Sequence, residues 1–160
     1  MALVVRHAVK GDVMVIADFA IRLFAQHRAY DAGRFADIGD LKGAAIYYAS
    51  RIDAATSAVL VAEIDETLVG FAYLEFEAID YSMLLENAAC LHDLYIAEEA
   101  RGSGAGKMLI WASIDAGKGL GAEKVVLSVA AKNNMAHAFF RHVGFRDTMI
   151  EMTLNLAEPR

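Results

Sequence analysis

The sequence predicts a mixed α/β fold: a largely antiparallel sheet, closed by two β-α units and covered by helices. Three observations carry this. Apolar segments follow the order β-α-α-β-β-β-α-β-α-β along the 160 residues. Two strand-like runs, Ser57 to Ile64 and Leu68 to Ala78, are separated only by Asp65-Glu66-Thr67 and read as a hairpin. The two β-α units that follow should bring their strands together as parallel neighbours through a right-handed crossover. The length suits one domain with a real core, so a single domain over 1–160 is expected.

Each element has a local signal. Leu3 to Arg6 reads as the first strand. Asp12 can cap a helix running to about His27, with Val13, Ile16, Phe19, Ala20, Leu23 and Phe24 on one face. Asp40 can cap a second helix to about Ile52, with Leu41, Ala44, Ala45 and Tyr48 inward. After the hairpin, Asp80 to Asn87 reads as a loop and Ala88 to Ile96 as a strand. Gly104 to about Ala116 is amphipathic, and Gly117, Gly119 and Gly121 end it. Lys124 to Val129 is nearly all apolar, as in a buried strand. A short helix from Asn133 to about His142 stops at Gly144. Ile150, Met152, Leu154 and Leu156 alternate with Glu151, Thr153 and Asn155, which predicts a last strand over Thr148 to Leu156.

Bulk properties exclude several classes. Hydrophobic residues make up 57% and there is one Pro, against disorder or a long linker. Charges interrupt every apolar run before it reaches membrane-spanning length, and Met1 to Lys10 lacks a signal-peptide pattern. No membrane partner is therefore expected. A single Cys, Cys90, excludes an internal disulfide and fits the cytoplasm. The net charge of −6, with no basic run, makes nucleic acid an unsuitable partner and a cationic small molecule a better one.

The stretch from Leu94 to Leu109 carries the strongest chemistry. An apolar run ends, an acidic turn follows, and the glycine-rich bend Arg101-Gly102-Ser103-Gly104-Ala105-Gly106-Lys107 opens a helix. Glycines leave backbone N–H groups uncovered, and the new helix adds the positive end of its dipole, which together suit a phosphate. A Walker A loop is excluded, because Arg101 stands where its first Gly is needed and Met108 follows Lys107. The dinucleotide fingerprint is excluded because Lys107 stands where its third Gly should be. The residues alone leave a phosphate site or a plain glycine-rich turn.

A second motif runs from Asn133 to Phe145, as N-N-M-A-H-A-F-F-R-H-V-G-F. Together with L-Y-I-x-x-E-x-R-G-x-G-x-G, in this order and with a strand between, it resembles the GNAT superfamily of acyl-CoA-dependent N-acetyltransferases. The resemblance covers nearly the whole chain. It implies a mixed, mostly antiparallel sheet of six to seven strands flanked by about four helices, with one splayed parallel pair. It implies acetyl-CoA as acyl donor, no metal, and direct transfer to a primary amine of a small molecule or peptide. Homodimers are frequent in the family. By the same resemblance, Leu94, Tyr95 and Ile96 offer backbone to the pantetheine arm, as an added strand would receive it. Pyrophosphate contacts fall on Arg101, Gly102, Ser103, Gly104, Ala105, Gly106 and Lys107. Asn133 contacts the cofactor arm, and Phe139 and Phe140 pack along it or serve the core.

An alkyl amine has a pKa of about 10.4, so a base, a water relay or an apolar pocket must help remove its proton. His92 and Asp93, just before the splay, are the candidates. Alternation puts them on opposite faces of a regular strand, so only one can face the acceptor unless a bulge intervenes. A His titrates near the working pH; the alternative is a partly exposed strand residue without a role. Many family members carry a Tyr, proposed to protonate the leaving thiolate, where this chain has Phe140. A Tyr acid there is ruled out, and Tyr95 is the other hydroxyl to weigh. The departure also leaves room for a non-catalytic acyl-CoA sensor on the same fold. Glu75, Glu77, Asp80 and Glu86 either bind a cationic acceptor or form a solvated acidic edge. His137 and His142 lack a metal-ligand pattern, and nothing in the sequence activates Cys90 as a nucleophile.

Overall fold

A computed structural model of the chain describes residues 1–157. Its elements are β1 (Leu3–His7), α1 (Val13–Tyr30), α2 (Leu41–Ile52), β2 (Ser57–Ile64), β3 (Thr67–Asp80), β4 (Leu85–Ile96), α3 (Ala105–Gly119), β5 (Lys124–Leu127) and α4 (Asn134–Val143). Among the described residues the strands form one five-stranded sheet in the order β1-β2-β3-β4-β5. β1 to β4 pair antiparallel, and β5 adds to β4 in parallel.

The sheet separates two apolar layers. On one face α1 and α2 pack Ile16, Phe19, Leu23 and Tyr48 against Val59, Val61, Phe71, Tyr73 and Tyr95. On the other, α3 packs Ala105, Leu109 and Ile110 against Leu60, Leu74, Ala89 and Leu91, and α4 lays Phe139 and Phe140 beside them. This follows from strand alternation, which sends successive side chains to opposite layers. Gly117 marks a close approach of α3 to the sheet, where a Cβ would stand 3.0 Å from that of Ala89.

Several expectations are corrected. Among the described residues the sheet has five strands, not six or seven. The predicted last strand over 148–156 does not form: its residues carry no regular structure. Alternation sets which way side chains point, but a strand also needs a neighbour for its N–H and C=O groups. The loop expected at 80–87 narrows to a turn over 81–84, with β3 and β4 paired as far as Asp80 and Leu85. Asp40 caps α2 as expected, accepting from the amides of Lys42 and Gly43. Asp12 precedes α1 but gives it no side-chain cap. Its carboxylate instead accepts from the Arg6 guanidinium at 2.8 and 3.1 Å and from the Val9 amide at 2.8 Å.

Candidate active site

Pairing between β4 and β5 ends at Leu91 and Leu127, while β4 runs on to Ile96. Leu94, Tyr95 and Ile96 thus keep β3 on one side, opposite Ala72, Phe71 and Gly70, and have no strand on the other. This unpaired side of β4 is the candidate cleft.

The glycine bend lies at the mouth of the cleft. Gly102 and Gly104 have φ of 80° and 93°, left-handed values that favour glycine. A Cβ at Gly102 would meet nothing within 4 Å, and one at Gly104 only Leu3 at 3.8 Å. The space in front of the bend is therefore open. The Arg101 and Ser103 amides bond to Glu98 and Ala100, and that of Ala105 to the Ser103 hydroxyl. The amides of Gly102, Gly104, Gly106 and Lys107 have no partner among the described residues. Uncovered amides at the start of α3 fit a pyrophosphate by charge and by shape. Phe139 comes within 3.8 Å of the Cβ position of Gly106, so α4 borders the same mouth. Phe140 stacks edge-on between Phe139 and Phe145, in the core layer. The side-chain oxygen of Asn133 accepts from the Ala136 amide at 3.1 Å and caps α4. Its amide nitrogen is not used in that bond.

At the inner end of the cleft the β3–β4 ladder slips. Tyr73 pairs with Asp93 and Leu74 with Leu91, so His92 is an extra residue, a β-bulge. Leu91 and Leu94 both belong to the α3 layer. His92 and Asp93 between them turn to the α1–α2 face: the His92 ring stacks on Tyr73 at 5.3 Å, and Asp93 accepts from the Tyr48 hydroxyl at 2.6 Å. The bulge thus brings together two side chains that a regular strand would separate.

Their surroundings differ. His92 is exposed and Asp93 half-buried. Burial pushes the Asp93 carboxyl above its usual range, partly opposed by the Tyr48 hydrogen bond and by the nearby His92 and His27. Tyr48 and Tyr73, both 2% exposed, are raised by burial and by neighbouring Asp93 and Glu75 respectively, so both stay neutral donors. Tyr47 completes an aromatic wall, edge-on to Tyr48 and Tyr73. These tyrosines were not singled out from the sequence as site residues. The signal was a Tyr instead of a Phe at inward positions, since a buried hydroxyl needs a partner.

Tyr95 points to the same face, packed on Phe19 at 5.4 Å. It lines a cavity of about 400 Å³ with Arg22, Gln26, Glu98, Glu99 and Arg101. Of the acidic residues of the β3–β4 hairpin, Glu75 and Asp80 are engaged by local donors. Burial raises the Glu75 carboxyl, but donors from Ser57, Thr56 and Tyr73 outweigh it and hold it below its usual range. Asp80 accepts from Ser82 and Met83 in its own turn. Burial raises the Cys90 thiol, which keeps it un-ionised. His137 turns back on the Ala130 carbonyl at 3.3 Å. Among the described residues no three His, Cys, Asp or Glu side chains gather as a metal site, and no helix is long and apolar enough to cross a membrane.

A sequence model of the Acetyltransferase (GNAT) family matches residues 16–145. The chain belongs to the GNAT acetyltransferase family. It is an acyltransferase by that membership. It is 28% identical over 143 residues to an uncharacterised N-acetyltransferase, YhfO, of Bacillus subtilis (strain 168), covering 89% of each chain. Its fold is similar to that of a mutant of the BH1408 protein from Bacillus halodurans, with a TM-score of 0.80 at 21% identity over 96% of this chain and 99% of that one. It is also similar to the aminoglycoside N-acetyltransferase AAC(6')-Iy in complex with CoA, with a TM-score of 0.80 at 15% identity over 98% and 95%. At such identities the structural likeness speaks for the fold.

Proposed function

We propose that this acyltransferase moves the acetyl group of acetyl-CoA to a primary amine of a small molecule or peptide, with donor and acceptor bound together. The observation that carries the reading is the bulge at His92, which puts an exposed imidazole beside a half-buried carboxylate where β4 loses its β5 neighbour. Acetyl-CoA supplies the thioester; this chain's residues bind and orient it. The uncovered amides of Gly102, Gly104, Gly106 and Lys107, with Arg101, Ser103 and Ala105 shaping the bend, receive the pyrophosphate. The unpaired edge at Leu94, Tyr95 and Ile96 receives the pantetheine arm. Asn133 reaches the arm through its amide nitrogen, and Phe139 and Phe140 wall it.

In the transfer, the amine nitrogen bonds to the acetyl carbon and the carbon–sulfur bond breaks, its electron pair leaving on the thiolate. The amine's surplus proton goes to His92. Asp93, close by, stabilises the imidazolium that forms. Tyr48 holds Asp93 in place, and Tyr73 holds the imidazole ring by stacking. With Phe140 unable to donate, Tyr95 is the hydroxyl left for the thiolate, whose conjugate acid has a pKa of about 8.5 and is a tolerable leaving group unaided. The likeness to an aminoglycoside N-acetyltransferase supports small-molecule amines as acceptors. The negative net charge favours cationic ones, and the single half-buried Cys90 fits a cytoplasmic setting. A homodimer belongs to the same reading.

The test is acetyl-CoA turnover across a broad panel of amines, with His92→Ala beside the parent. We expect kcat to fall by roughly 10²–10⁴-fold at unchanged acetyl-CoA affinity. A pH–rate profile that His92→Ala leaves unchanged removes His92 from the mechanism. Binding without turnover on any amine favours the non-catalytic acyl-CoA sensor, the alternative that Phe140 leaves open.

A further inference from the structure

The Ala97 amide, just past the end of β4, bonds to the Val69 carbonyl at 2.8 Å and so points to β3. Backbone groups of successive residues in an antiparallel strand turn to opposite sides, which sends the N–H and C=O of Ile96 away from β3. They face the lane beside β4 that β5 leaves open beyond Leu91. Leu94, two residues earlier, presents its own pair to the same lane.

The lane is not clear. Arg101 Nε donates to the Ile96 carbonyl oxygen at 3.3 Å. A strand added here would run about 4.8 Å from β4, with its own N–H nitrogen about 2.9 Å from that oxygen. The guanidinium therefore stands where a chain laid along this edge would place its donor to Ile96.

Arg101 is held there loosely. The bond is exposed and ends on a neutral carbonyl. Among the described residues the side chain makes no ion pair, although Glu98 and Glu99 line the same cavity of about 400 Å³. Its backbone leads directly into the glycine bend, where the amides of Gly102, Gly104, Gly106 and Lys107 are uncovered. A planar guanidinium fork fits phosphate oxygens in pairs, a stronger arrangement than a single bond to a carbonyl. One cation thus has two competing positions, on the Ile96 carbonyl or on an anion gathered in the bend.

We propose that Arg101 is a latch that selects acyl donors by their pyrophosphate. The proposal rests on the reading of this cleft as the acyl-CoA site. A donor with a pyrophosphate draws the guanidinium onto its phosphate oxygens, releases the Ile96 carbonyl and clears the lane for its own pantetheine arm. A thioester with the same arm and no phosphate offers Arg101 nothing and must displace it unaided. Arg101 is then a specificity residue, raising affinity for one class of donor and lowering it for the other. A residue that only bound phosphate would do the first alone.

The test compares two donors on the parent and on Arg101→Ala. Acetyl-CoA is followed by calorimetry, and S-acetylpantetheine, which lacks the pyrophosphate, by NMR titration of the backbone amides. We expect the variant to bind acetyl-CoA roughly tenfold more weakly and S-acetylpantetheine about threefold more tightly. The opposite signs are the decisive result. An unchanged or weaker affinity for the short donor overturns the latch, since Arg101 then serves the phosphate or the loop alone. A short donor that binds neither protein overturns it too. A parent that binds neither donor removes the acyl-CoA reading itself, and the latch with it; a parent that binds acetyl-CoA without the change of sign removes only the latch. Should Arg101→Ala fail to fold, the parent decides: the nuclear Overhauser contact between Arg101 Nε–H and Ile96 must be lost on saturation with acetyl-CoA, and a contact that persists overturns the proposal.

Discussion

Asp12 and Asp93 are both acidic residues drawn inside the same apolar face, and they are held in opposite ways. Asp12, 8% exposed, meets the Arg6 guanidinium through two hydrogen bonds and also takes the Val9 amide. Arg6 holds its carboxyl below the usual range against the opposing effect of burial, and is itself raised by Asp12 and Glu63. Asp93 has no cation bonded to it; the neutral hydroxyl of Tyr48 is its donor, and burial wins. The first arrangement fastens β1 to the start of α1. The second keeps a carboxyl under-compensated beside a cleft, where a developing positive charge would be welcome. On the proposed mechanism, the difference separates the acid that supports the fold from the one that serves the chemistry.

The largest expected effect comes from Asp93→Asn. Turnover should fall by on the order of a hundredfold or more, as the charge that stabilises the protonated imidazole is lost. Stability should move the other way. A carboxyl whose folded pKa is raised contributes fully below its unfolded value, near ~3.9, and loses that contribution as pH rises through the folded value. Asp93→Asn should therefore be more stable than the parent at pH 7, with the gain shrinking toward pH 4. Thermal unfolding across this range checks it, and a variant destabilised at pH 7 would break the contrast.

Asp12→Asn should do the reverse. A depressed carboxyl contributes above its unfolded pKa and loses that contribution as pH falls through its folded one. We expect a loss of about 1–3 kcal/mol at pH 7, from an Arg6 left without its charge partner, with kcat nearly unchanged. The loss should diminish as pH falls below about 4, where the unfolded parent takes up a proton at Asp12 that the folded one still resists.

Next in size is Gly104→Val, which touches neither carboxyl. It should weaken acetyl-CoA binding by roughly tenfold or more, through a side chain at a left-handed position in front of the loop amides. Calorimetry measures it; unaltered affinity would move the pyrophosphate elsewhere. Tyr48→Phe is the smallest change and the sharpest test. Removing the one hydroxyl bonded to Asp93 should raise its pKa further and shift the acid limb of the pH–rate profile upward, at a stability cost of about 1 kcal/mol. A profile that stays in place would make Tyr48 a packing residue only.

Much of the fold was legible because local signals and tertiary demands agree. The hairpin at Asp65-Glu66, where both residues take positive φ, and the Asp40 cap are fixed by nearby residues. The glycine bend and the 133–145 motif pointed to the family because they combine backbone requirements with a fixed order. What escaped depends on partners distant in sequence. Asp12 reads as a cap until β1 brings Arg6 beside it. Residues 148–156 alternate like a strand, yet among the described residues they join no strand of the sheet. The placement of His92 and Asp93 on one face rests on the register of Tyr73 and Leu74 across the ladder, which no property of β4 alone reveals.

The unpaired place of His92 has one more consequence. Residues in the ladder are held to their neighbours across the strand, so replacing one disturbs two layers. His92 stands opposite no residue and its side chain is exposed. If His92 is the base proposed above, it occupies a socket: different proton-accepting groups can be fitted there while the sheet on either side keeps its registration. The scaffold and the reagent are thereby free to change at different speeds.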